Sequence, residues 1–240
     1  MLYIEKDETI QILISVLAMS LAMALVFARL DGMLAYPLEF LVFLPPLLIT
    51  VGSGFILHEM AHKLVAMVYG AQARFRMWTQ GIVFMLATSL FGFLFAAPGA
   101  VYIYAPRITT RQNGVISVAG PALNLFLAIF FVALEFIYPV RQYFSFLAPW
   151  NADFAGYGIA YGILHVWRFG AAMNLMLGLF NMIPAFPLDG SKIYGWNKFL
   201  WALFVLVLLA VGSFVISPGI VFGWGIMLLF FWVLSKFIFG

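Results

Sequence analysis

LEFLVFLPPLLITVGSGFILHEMAHKLVAMV, residues 38–68, is apolar along most of its length, yet gathers three ionisable groups into five residues, His58-Glu59-Met60-Ala61-His62. A helix needs about 20 apolar residues to cross a bilayer, so this run reads as a membrane span long enough to tilt or to break at Pro45 and Pro46. Ionisable side chains are expensive in such a segment and mark function by default.

The rest of the chain has the same character. Of 240 residues, 65% are hydrophobic and 9% charged, and the mean hydropathy of +1.09 makes the bilayer the natural solvent. There is room for six spans of about 20 residues with short connections, and little beyond that. Apolar runs place them at about Ile10–Ala28, Leu38–Val68, Gly114–Tyr138, Phe169–Phe186, Phe199–Ile216 and Gly219–Phe239. The expected fold is an all-α polytopic membrane protein. The whole chain, 1–240, reads as one integral membrane domain without a PDZ or other soluble regulatory segment. MLYIEKDETI has no basic leader or small-residue cleavage site, so the first run is expected to stay as an anchor.

Gly81–Ala105 fits no simple span, because Gly92, Pro98 and Gly99 interrupt it and Ala100–Tyr104 is β-prone. Placing Met1 in the cytoplasm puts Lys6, Lys63, Arg74, Arg76, Arg107, Arg111, Lys192, Lys198 and Lys236 on that side, against Arg29, Arg141 and Arg168 opposite. A full crossing at 81–105 would weaken this bias. A re-entrant or β-hairpin element between the second and third spans is therefore expected, packed on protein or lining a wet cavity. Pro149–Arg168 reads as an interfacial connection.

The net charge of +3 comes from scattered loop cations, which argues against a nucleic-acid partner. Most of the 27 Phe residues are expected to contact lipid. There is no cysteine, so any metal site must use His, Asp and Glu. On a helix His58 and His62 share a face and can reach one Zn²⁺, with Glu59 about a quarter turn away, placed to activate a zinc-bound water. The competing reading is coincidence. It is weakened because the chain has only three His and nine acidic residues, and this pentapeptide takes two of the former and one of the latter.

A catalytic zinc commonly has three protein ligands. Asp31, Glu39, Glu135, Asp153 and His165 fall on the opposite side in the expected topology. Asp189 lies on the same side as the histidines, in NMIPAFPLDG at 181–190, where two prolines and a glycine break the fourth span and let a carboxylate point inward. Without the two histidines, Leu188-Asp189-Gly190 would read as an ordinary turn.

HEMAH at 58–62 together with NMIPAFPLDG at 181–190 resembles the site-2 protease family of intramembrane zinc metalloproteases. The resemblance covers about residues 50–195. It implies one zinc per chain held by His58, His62 and Asp189, with Glu59 as general base and Asn181 as a hydrogen-bond donor to substrate or oxyanion. It also implies transmembrane protein substrates and regulated intramembrane proteolysis. Asn124, in AGPALN at 119–124, is open between contacting substrate and packing helices; Asn174 stands in no motif and reads as structural. The expected location is a cell membrane, multi-pass, with the site nearer the cytoplasm. Two other classes stay in play: a metal-ion or proton transporter, for which inverted repeats would speak and none is evident, and a catalytically silent relative that binds membrane proteins, against which intact Glu59 argues.

Overall fold

The computed structural model describes residues 4–94, 98–137 and 166–239. Its helices are α1 (Lys6–Ala35), α2 (Pro37–Leu47), α3 (Ser53–Val68), α4 (Thr79–Ser89), α5 (Thr110–Glu135), α6 (Val166–Asn181), α7 (Asp189–Trp196), α8 (Lys198–Val215) and α9 (Pro218–Phe239), with strands β1 (Gln72–Met77) and β2 (Gly99–Tyr104). Among the described residues, four stretches are long and apolar enough to cross a membrane: Lys6–Ala35, Phe43–Val68, Thr110–Glu135 and Lys198–Val215. Six crossings were expected. α6 has only 16 residues, and the apolar part of α9 is Val221–Leu234. The expected connection at 149–168, with Asp153 and His165, lies outside the described residues as far as 165.

The break expected at Pro45 and Pro46 is present as a change of helix type. Neither proline donates a backbone N–H, and after them Leu48–Gly52 forms a π turn that leads directly into α3. Thr50, in that turn, donates its hydroxyl to the Pro46 carbonyl at 2.8 Å. α1 departs from helical geometry at Arg29, which has φ +57°, just past the expected end of the first span at Ala28. α5 starts with a capping box: Thr109 accepts from the Gln112 N–H while the Gln112 side chain accepts from the Thr109 N–H.

The element expected at 81–105 is part helix and part strand. α4 occupies its first half and packs along α1; its second half returns as β2, antiparallel to β1 with Phe75 opposite Val101. α1 holds this sheet with side chains. Glu8 accepts from the Phe75 N–H at 2.9 Å, Gln11 accepts from the Met77 N–H at 3.0 Å, and Ser15 donates to the Pro98 carbonyl at 3.2 Å.

Among the described residues, two larger apolar cores sit beside a smaller one around Ala66, Ala73 and Ile116. One joins α1, α2 and α3 with Phe75 and Met85; the other joins α5, α6, α7 and α8. α3 spans both halves by packing on α5, and α5 in turn packs most extensively against α6.

Candidate metal centre

α3 brings the two histidines onto its α5 face, where both are buried. α6 ends at Asn181, the chain turns through 182–188, and Asp189 opens α7. The carboxylate expected to come from an unwound segment thus sits in the first turn of a short helix. Gly190 makes the turn possible, since a Cβ there would lie 2.2 Å from the Met182 carbonyl oxygen. The Trp201 indole donates to that same oxygen at 2.8 Å, tying α8 to the turn.

His58, His62 and Asp189 converge, though Asp189 is far from the others in sequence. Nε2 of His58 lies 3.0 Å from Nε2 of His62, and Asp189 Oδ2 lies 3.3 Å and 3.0 Å from them respectively. Among the described residues this is the group of metal-ligating side chains close enough to share one ion. The donors fit such an ion: in a tetrahedron with bonds of about 2.0–2.1 Å, neighbouring ligand atoms are about 3.4 Å apart. Burial opposes charge on Asp189, but His62 and His58 outweigh it and hold the carboxyl below the usual carboxylate range.

The opposite ring nitrogens are anchored. His62 Nδ1 lies 2.7 Å from the Ile116 carbonyl oxygen, an acceptor, and His58 Nδ1 lies 2.6 Å from Asn124 Oδ1. Both contacts come from α5. The helices approach this closely because residue 120 is glycine: a Cβ there would lie 2.5 Å from Nε2 of both histidines.

Glu59 lines the same cavity, of about 260 Å³. Its Oε2 accepts a hydrogen bond from the Val101 N–H at 2.7 Å. Val101 and Phe75 are paired positions whose N–H groups both point out of the sheet, so alternation along β2 turns the backbone of Gly99, Val101 and Ile103 away from β1. These three residues line the cavity. Asn181 lines it too, and its amide donates to the Leu177 carbonyl at 3.0 Å.

The structure therefore brings every site residue expected from sequence to one cavity. Asn124 sits against a histidine, deep in the α3–α5 contact. Gly120, Asn174 and the Val101 N–H were not singled out as parts of the site. Gly120 had a signal in Ala119-Gly120-Pro121, whereas the others depend on contacts between distant segments. Glu135, set aside as remote, lies at the other end of α5 near Arg168, 3.9 Å away.

A family model described as Peptidase family M50 matches residues 46–203. A Methanocaldococcus jannaschii protein named "Putative zinc metalloprotease MJ0611" is 40% identical over 206 residues, covering 85% of this chain and 92% of that one. A Bacillus subtilis protein named "Putative zinc metalloprotease YwhC" is 29% identical over 220 residues, 78% of this chain and 90% of its own length. No solved structure matches. The site-2 protease resemblance in HEMAH and NMIPAFPLDG thus agrees with the match over residues 46–203, and the chain belongs to peptidase family M50.

Proposed function

We propose that this chain is an intramembrane zinc metalloprotease that hydrolyses peptide bonds in or near transmembrane segments of other membrane proteins. The observation that carries the reading is the meeting, in one cavity, of three metal-donor atoms, the Glu59 carboxylate and a strand edge. The nitrogen and oxygen donors of His58, His62 and Asp189 suit zinc, the metal in the names of the relatives. When bound, zinc supplies Lewis acidity for hydrolysis.

The protein's own groups do the rest. Glu59 takes a proton from the attacking water and returns it to the leaving amine. The second amide hydrogen of Asn181, beyond the one given to Leu177, is offered to the developing oxyanion. A helical substrate must be unwound before it can be cut, and β2 holds the extended segment by strand addition. Pairing at Val101 requires its N–H to leave Glu59, so docking frees the carboxylate for proton transfer. The protein is multi-pass in a cell membrane with the cavity, which Lys192 lines, nearer the cytoplasm.

The test is cleavage of a membrane-spanning test substrate by the full chain in detergent. Treatment with a zinc chelator abolishes cleavage and stoichiometric zinc restores it; cleavage indifferent to the chelator overturns the proposal. Gly120→Ala gives a second expected result. The added methyl displaces both imidazoles, and zinc affinity falls by at least about tenfold, the scale on which neighbours of metal ligands act. Competition with a chromogenic chelator measures it, and unchanged affinity would place the metal elsewhere.

A further inference from the structure

Asn124 on α5 and Asn174 on α6 are both fully buried, at 0% exposure. Their hydrogen bonds leave no freedom in how either amide is oriented. Asn174 Nδ2 donates to the carbonyls of Gly170 at 2.9 Å and Thr50 at 3.2 Å, so its oxygen must face Asn124. Asn124 Nδ2 spends its two hydrogens on that oxygen at 3.0 Å and on the Gly54 carbonyl at 3.2 Å. Asn124 therefore presents only an acceptor to His58. The His58 ring must carry its proton on Nδ1, which leaves the lone pair of Nε2 directed at His62 and Asp189.

The chain is built to admit this connection. A Cβ at residue 54 would lie 2.5 Å from Asn174 Oδ1, so Gly54, one helical turn before His58, makes room for the second amide. The far end is anchored at Thr50, in the π turn that precedes α3.

We propose that Asn124 and Asn174 form a positioning relay that fixes the tautomer and ring orientation of His58, so that Asn174 sets metal affinity without touching the metal. The proposal rests on the reading of His58 as a ligand. Partners of this kind change metal affinity by about 10–100-fold when removed. Asn174→Leu keeps the branched shape but deletes one of the two acceptors that orient Asn124, loosening that amide and letting His58 exchange tautomers.

The experiment uses the full chain in detergent with ring-¹⁵N histidine, zinc being the metal added. Wild type shows His58 protonated on Nδ1 both without zinc and with it, whereas Asn174→Leu shows mixed tautomers and about 10–100-fold weaker zinc binding by chelator competition. A wild-type His58 protonated on Nε2 overturns the relay even if no variant folds, as does zinc affinity within about twofold of wild type in folded Asn174→Leu. His58→Ala separates the two levels: zinc binding untouched by His58→Ala removes the ligand reading itself, whereas binding lost there but retained in Asn174→Leu removes only the relay.

Discussion

Glu59→Gln lowers peptide-bond hydrolysis by about 10²–10⁴-fold, the usual contribution of a positioned general base, and leaves zinc bound. The substitution is almost isosteric, and the amide oxygen of Gln can still accept the Val101 N–H that holds the present carboxylate. What disappears is the capacity to take a proton. Glu59 is not one of the three converging donors, which are His58, His62 and Asp189, so the metal content stays near one per chain. Single-turnover cleavage combined with metal analysis reads both quantities. Undiminished cleavage would remove the protease mechanism. Loss of metal along with activity would instead make Glu59 a ligand.

The other large effect is on stability. Lys63 lies next to a candidate ligand but turns away from the cavity into a buried pair with Glu8, its Nζ 2.6 Å and 2.7 Å from the two carboxylate oxygens. Lys63 is 1% exposed and Glu8 4%. Lys63→Met leaves the Glu8 carboxylate buried with only neutral donors, a change that costs about 3–5 kcal/mol in comparable pairs. The same carboxylate accepts the Phe75 N–H, so the damage spreads from α3 to α1 and β1. Replacing both residues together, Glu8→Gln with Lys63→Met, restores part of the loss, because an amide keeps the bond to Phe75 without a stranded charge. Thermal unfolding of wild type and the two variants in one detergent measures this. A single variant as stable as wild type would show that water reaches the pair.

Lys63 also shows where reading the sequence stops. It was counted among cytoplasmic loop cations, since a sequence displays a charge but not a partner 55 residues away. The metal-donor cluster was legible for the opposite reason. Two histidines one turn apart can be placed on a common face without tertiary knowledge, and Asp189 stood out once helix-breaking prolines and a side of the membrane were required together. Spans were legible where apolar length decides them, as in α1, α5 and α8. Residues 81–105 were less so: the eleven-residue α4 is as apolar as a membrane span, and apolar periodicity does not separate a short packed helix from part of a crossing. Asn174 was read as structural because its importance lies in which atom it turns toward Asn124.

The small sheet has one further property. Two strands offer two edges, and an exposed edge can pair with any extended chain, including another copy of this protein. Here Glu8 and Gln11 of α1 already occupy the outward N–H groups of β1 at Phe75 and Met77. The other edge lines the cavity. If β2 takes up substrate as proposed, the protein is a monovalent strand acceptor: one extended segment pairs beside Glu59, while the outward N–H groups at Phe75 and Met77 are already taken and do not pass pairing on to a neighbour.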